Sequence, residues 1–358
     1  MSLADEFLEI EFDDEPMVAE SKLLVARRER DRAKRALGKV QEERDAALTN
    51  LQRVLDFTTT EVEIPTWLVP KSSAKIKRGV ATLLVSDTHF DEVVDPDEIE
   101  GLNAYNREIA TLRLKATFEK AILMTREYVT GVRCEGAVVM LGGDMVTGVI
   151  HDELAQSNDA FMTETILYWT EQICAGIQMM RDEFKKVHVA GVVGNHGRMT
   201  RKPRAKGRAK DNWDWLIYKI VEREFKSDPN VTFDITDGTD VVIPICDYRF
   251  RLTHGDQFSG GGGIGGLAGP LANGNAKKLR LAMATDNPYD YLCVGHFHTY
   301  MYYQNMIANG STKGYDEYAY QHSFNFEKPQ QAFWITTPEH GVTFPINLKV
   351  EDRKAEGW

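Results

Sequence analysis

The sequence predicts an α/β fold with a helical extension ahead of it. Two observations carry this. From residue 80 onward, short apolar runs alternate with longer helical stretches, the pattern of βαβ units around a buried sheet. Before residue 56 the periodicity is helical only.

In chain order, residues 1–20 are acidic and lack periodicity, as a mobile tail does. Residues 21–55 read as one long helix. Leu23, Ala26, Arg30, Ala33, Leu37, Val40, Arg44, Ala47, Leu51 and Val54 recur at spacings of three and four, a heptad seam. Arg30 and Arg44 weaken that seam, the alanines bury little area, and Gly38 lies off it. Two readings stand: a solvated helix packed on its own domain, or a short coiled coil that makes a homo-oligomer. Pro65, Pro70 and KSSAKIKRG mark 56–79 as a linker. Residues 80–350 form the main domain and 351–358 a tail. Within the domain, 81–86, 137–141, 187–193, 250–253 and 291–294 read as buried strands. Helical stretches fall near 104–130, 152–185 and 211–227. Residues 231–235 and 241–246 read as strands of more antiparallel character, and 300–348 as β.

Composition sets outer bounds. The 358 residues suffice for one large domain or a domain with an appendage, and 42% hydrophobic with 27% charged residues is ordinary for a globular chain. No apolar run approaches the ~20 residues that span a bilayer. The start, MSLADEFLEIEFDDEP, lacks the layout of a signal peptide, so no membrane association and a cytoplasmic location are expected. Cys134, Cys174, Cys246 and Cys293 are widely spaced, which argues against a zinc ribbon and gives no hint of a disulfide framework. The net charge of −11 argues against a nucleic-acid coat protein, although one segment is strongly basic.

The chemistry sits just after the strands. Asp87-Thr88-His89 follows the first, Gly143-Asp144 the second, and Gly194-Asn195-His196 the third. His254-Gly255 and Gly295-His296-Phe297-His298 follow two later strands. The carboxyl edge of an α/β sheet is where such folds place ligands. Asp, His and Asn offer oxygen and imidazole donors, a mix suited to Mn, Fe, Zn or Ni. If the chain is extended there, Asp87 and His89 point one way, as do His296 and His298. Singly each block is a common turn or loop. Together the five occur in one order, each after a strand, and hold five of the nine histidines, which makes chance assembly an unsatisfying account.

This order, D-x-H, G-D, G-N-H, H-G, G-H-x-H, resembles the signature of the calcineurin-like metallophosphoesterase superfamily, over residues from about 80 to 311. Asn309-Gly310-Ser311 resembles the turn that follows the last block. The string Gly143-Asp144-Met145-Val146-Thr147-Gly148, with Ile150-His151-Asp152-Glu153-Leu154 after it, resembles members encoded by phages and mobile elements, for which the location would be a host cytoplasm. The resemblance implies a four-layer αββα double β-sandwich. It implies that Asp87, His89 and His298 hold one divalent metal ion, that Asn195, His254 and His296 hold a second, and that Asp144 bridges them. Mn2+ is the expected ion, with Fe, Zn or Ni as alternatives. Water activated between the two ions would hydrolyse a phosphate ester, with His196 protonating the leaving oxygen or stabilising the phosphorane. One departure stands out. Where many relatives have an acid after G-N-H, this chain has Gly197 and then Arg198. Asp91 or Asp152 would have to tune His196, or the role is lost, and Arg198 could bind the substrate phosphate instead.

Residues 198–210, RMTRKPRAKGRAK, begin at the site and contain no acid. Arg198, Arg201, Lys202 and Arg204, with His151 nearby in sequence, are the candidate substrate contacts. A mobile basic loop beside the metals suits the backbone of a nucleic-acid substrate. Trp213 and Trp215 are either base-stacking residues or core. The loop 259–274, with GGGGIGG in it, is either a flexible surface loop, a lid or a phosphate cradle. The first expectation is a nuclease. A phosphatase or phosphodiesterase of small molecules or phosphoproteins is the alternative, and a scaffold with a structural metal site is the third.

Overall fold

The computed structural model describes residues 27, 30–49, 65–68, 77–150, 152–258 and 266–358. The chain divides into two compact units, Met1–Val62 and Glu63–Trp358. In the first, residues 30–49 form helix α1, whose seam residues Leu37 and Val40 are exposed. The expected acidic tail, 1–20, lies outside the described residues.

The second unit is a mixed α/β structure with two sheets. Strands β1 (Lys77–Val85), β2 (Val132–Leu141), β3 (Val187–Gly191) and β4 (Val231–Ile235) are mutually parallel. Strands β10 (Gln330–Thr337) and β11 (Gly341–Lys349) complete a sheet ordered β11-β10-β1-β2-β3-β4. The other sheet joins β5 (Asp240–Ile245), β6 (Tyr248–Thr253), β7 (Tyr291–Val294), β8 (Met301–Tyr303) and β9 (Met306–Ala308) in the order β5-β6-β7-β9-β8. Both faces of β1 are buried, which is why it reads as a continuous apolar run. Alternation splits its side chains between two cores. Ala81, Leu83 and Val85 join a cluster with residues of helices α2 (Arg107–Leu123), α4 (Met162–Phe184) and α5 (Trp213–Glu224). Val80 and Leu84 join a cluster with Ile243, Phe250, Leu252 and Cys293 of the second sheet. That sheet's Leu292, Val294, Met306 and Ala308 pack with Leu271 and Ala282 of α6 (Ala268–Ala284).

Several expectations are corrected. β4 pairs parallel with β3, because its chain returns through α5 rather than through a hairpin. The helical stretch 152–185 is two helices, α3 (Asp152–Ser157) and α4, with Phe161 as the N-terminal cap residue of α4. The β-rich end contains a short helix, α7 (Glu317–Gln321), capped by the Asp316 carboxylate, which accepts from the Ala319 amide. Leu68, inside the expected linker, is fully buried in the inter-sheet cluster. Residues 351–358 are not a loose tail. They contain helix α8 (Arg353–Glu356), and the Glu356 carboxylate pairs with Arg113 at 2.8 Å, both side chains buried. Arg113 also donates to the carbonyls of Ala104, Thr312 and Lys313.

Removing residues 351–358 would strand the Arg113 charge in the core. We expect the truncated chain to lose about 3–5 kcal/mol of stability in urea denaturation. Burial pushes the Glu356 carboxyl up, but Arg113 wins and holds it below its ordinary 4.5. The pair's contribution is therefore present above pH ~4.5 and lost as pH falls below it. A truncation with an unchanged midpoint would show the tail to be dispensable.

Candidate metal centre

The carboxyl ends of β1, β2 and β3 and the ends of β6 and β7 converge. Asp87, His89, Asp144, His296 and His298 all have left-handed backbone, with φ of 53, 44, 51, 70 and 52°. Non-glycine residues hold such conformations at roughly 1–3 kcal/mol each, and only where their surroundings impose them. The extended geometry that would align Asp87 with His89, and His296 with His298, is therefore absent. The tight turns instead send His296 and His298 to different groups.

Among the described residues, three groups of side chains bring ligand atoms within 4.8 Å of one another: Asp87, His89 and His298; His89, Asp144 and His196; Asp144, His254 and His296. Asp144 thus groups with His254 and His296 and, through His89, adjoins the group of Asp87 and His298. Asn195 joins the third, its Oδ1 3.2 Å from His254 Nε2. His254, Asp87 and Asp144 are each held by further contacts. His254 Nδ1 donates to the Gly142 carbonyl at 2.8 Å, which turns Nε2 toward Asp144 Oδ2, 3.0 Å away. Asp87 accepts the His296 amide at 2.8 Å and the Ser86 hydroxyl at 2.5 Å. Ser311 donates to the Asp87 carbonyl and Asn309 to Ser86, so the Asn309-Gly310-Ser311 turn braces this strand end. His196 donates its amide to Asp144 Oδ1 at 2.6 Å, and its Nδ1 faces the Thr147 carbonyl at 3.2 Å.

The electrostatics fit cations. Asp87 and Asp144 are buried together. Burial, with Asp144 nearby, pushes the Asp87 carboxyl up to about 6. Burial pushes Asp144 up too, but His254 and His196 overcome it and hold Asp144 well below the carboxylate range. His254 loses basicity to burial and regains more from Asp144, ending at about 10. His89 and His298 bring Nε2 atoms to 3.1 Å from each other. The carboxylates of Asp87 and Asp144 with the imidazoles of His89, His254, His296 and His298 form a donor set that suits divalent cations of the Mn, Fe, Zn or Ni type.

The sequence reading missed the supports. Asp214, buried at the start of α5, accepts the amides of Gly194, Asp144 and Met145 at 2.9, 3.0 and 3.2 Å and so clamps two site loops together. Gly194 passes so close that a Cβ there would sit 2.0 Å from Asp144 Oδ1. Position 197 has no room for an acid. A Cβ would lie 2.4 Å from Asn212 Oδ1 and 2.9 Å from Asp214 Oδ1. The only sequence signal for Asp214 was an acid in the first turn after an Asn cap. Glu92 lies 3.4 Å from His89 Nδ1 and accepts the Thr147 hydroxyl at 2.6 Å. Buried Lys313 holds Glu92 at 2.8 Å and Asp316 at 2.5 Å.

Other expected residues lie elsewhere. Asp91 does not reach His196; it is taken by Arg107, Thr165 and Trp169. The Arg198 guanidinium turns to the carbonyls of Asn195, Thr200 and Arg201 rather than outward. Arg201, Lys202 and Arg204 are exposed on the basic loop. Trp213 and Trp215 pack against the helix-side core, which accounts for them without stacking. His151, the Asp152 side chain and loop residues 259–265 lie outside the described residues.

Comparisons with known proteins add little. No family model matches the chain, and no curated protein does. Among solved structures, a single mutant of Vps29 from Entamoeba histolytica matches at 15% identity and TM-score 0.29, over 75% of this chain and 98% of that one. Vacuolar Protein Sorting 29 from Cryptosporidium parvum matches at 14% and 0.30, over 72% and 86%. Termus thermophilus sulfate thiohydrolase SoxB matches at 12% and 0.31, over 80% and 58%. Likeness at these scores decides nothing about this chain.

Glu92→Gln should weaken divalent-cation affinity by about 10- to 100-fold, the usual effect of losing a group that orients a ligand histidine. Calorimetric titration with Mn2+ measures this. Unchanged affinity would mean that Glu92 does not position His89.

Proposed function

We propose that the chain is a two-metal phosphoesterase of the calcineurin-like type, built as a four-layer αββα sandwich, and that it cleaves phosphodiester bonds in nucleic acid. The observation that supports it is the placement of Asp144 within ligand reach of His89, which also groups with Asp87 and His298, and of His254 and His296. The two-core packing around the first sheet supports the sandwich.

In this reading Asp87, His89 and His298 would hold one divalent ion and Asn195, His254 and His296 another, with Asp144 shared between them. When bound, two such ions, Mn2+ in the first instance, supply the charge that stabilises the entering and departing oxygens of an in-line displacement. The chain's residues do the rest. Asn195 gives a neutral amide oxygen, so its group carries less negative charge than the group with Asp87. Asp144 keeps its orientation because the His196 amide holds one of its oxygens. A carbonyl can only accept, so the Thr147 contact places a proton on His196 Nδ1 and fixes the ring beside His89, at a centroid distance of 4.5 Å. Burial holds His196 down at about 4, so the resting imidazole is neutral. An arriving phosphate anion favours its protonated form. His196 then protonates the leaving oxygen.

The test compares hydrolysis of single-stranded DNA, duplex DNA, RNA, an aryl phosphodiester and an aryl phosphomonoester with Mn2+, beside Asp144→Asn. We expect polynucleotide cleavage that Asp144→Asn abolishes. Turnover of the small esters alone would replace nucleic acid with a small substrate, and no turnover at all would overturn the hydrolase. His196→Ala should lower turnover by ~10²-fold or more at unchanged metal content. Loss of metal in that variant would instead make His196 a ligand.

A further inference from the structure

The basic segment 198–210 is anchored at both ends, with residues 201–207 exposed between the anchors. Arg198 ties its start to the Asn195 carbonyl at 2.6 Å, and the Met199 amide donates to the Asp211 carbonyl at 2.9 Å. Arg208 forms a two-pronged pair with Asp256, 2.8 Å on each side, which anchors the segment two residues beyond His254. Two of its arginines are thus committed to holding shape. Together they leave a small pocket whose wall includes Gly194 and the candidate ligand Asn195. Four cations line it, Arg198, Arg204, Lys206 and Arg208, against one carboxylate, Asp211. Arg204 and Lys206 are exposed, and among the described residues neither has an ion-pair partner. The chain as a whole carries −11, so this concentration of positive charge is local.

We propose that this pocket binds the phosphate next to the scissile one on a single-stranded nucleic acid. The proposal rests on the hydrolase reading for which phosphate is scissile. The anchored geometry makes the contact one of register. Arg198 and Arg208 fix the pocket wall against Asn195, and Arg204 with Lys206 supplies the charge that meets the second phosphate. A substrate with a single phosphate reaches the metal centre but leaves the pocket empty, so the site favours chains of linked phosphodiesters over isolated esters. Backbone contacts of this kind carry no base preference.

The experiment is a fluorescence polarisation titration of a labelled oligothymidylate with the full chain, at several salt concentrations. The double variant Arg204→Ala/Lys206→Ala is compared with a control of equal charge change on α2 and just after it, Lys115→Ala/Arg126→Ala. We expect the pocket variant to raise Kd roughly 5- to 10-fold and to lower the slope of log K against log salt by about 1.4, the value for two contacts on a single strand. The control should stay within about twofold of the original chain. Equal weakening by both variants would reduce the effect to overall charge, and no weakening by the pocket variant would leave the pocket without a phosphate; either overturns the proposal. Turnover separates it from the hydrolase reading. Binding lost in the pocket variant, in a chain that cleaves nothing, keeps the pocket and removes the hydrolase. Cleavage and binding of polynucleotide that both survive the double variant keep the hydrolase and remove the pocket.

Discussion

Two carboxylates, Asp87 and Asp144, are held out of water within one cluster of histidines, and most of the surrounding architecture answers that electrostatic constraint. A buried, uncompensated carboxylate costs several kcal/mol. Here the compensation is partial. Backbone amides of His196 and His296 reach one oxygen on each, and His254 faces Asp144. The remaining imbalance pushes one carboxyl up and the other down. Divalent cations between the two groups would remove it, which is the physical basis for reading the cluster as a metal centre rather than as a buried polar network.

Holding so many donors in one place requires strained backbone and rigid support. The left-handed turns after β1, β2 and β7 let short segments deliver side chains inward. They are stabilised from behind: Asp214 gathers the second and third strand ends, and Ser311 with Asn309 fastens the first. Glu92, Lys313 and Asp316 form a buried ionic cluster behind His89. The C-terminal helix enters the same scheme, because Glu356 neutralises the arginine that gathers the Thr312 and Lys313 carbonyls. Supports of this kind tie distant segments of the chain together.

How much of this was legible in the sequence follows from what each feature depends on. The strands leading to the site were visible because burial on both faces gives unbroken apolar runs, and the candidate ligands were visible because they come directly after those runs. Asp214, Glu92 and Lys313 were not. Asp214 showed only as a first-turn acid after an Asn cap, and the importance of all three arises only when the fold brings them against site loops. The break between α3 and α4 and the parallel pairing of β4 were likewise hidden, since periodicity reports helix or strand and not neighbours. Gly197 was noticed as a departure from the family pattern, but its reason is spatial: Asn212 and Asp214 fill the volume a side chain would need. Arg198 has the position of a phosphate ligand in the sequence, but in the fold its guanidinium donates to the carbonyls of Asn195, Thr200 and Arg201.

The most direct test of the central claim is anomalous diffraction from crystals of the chain grown with Mn2+. The account predicts two peaks about 3.5–4 Å apart, one among Asp87, His89 and His298, the other among Asn195, His254 and His296, with Asp144 between them. A single peak, or ions bound away from Asp144, would contradict it.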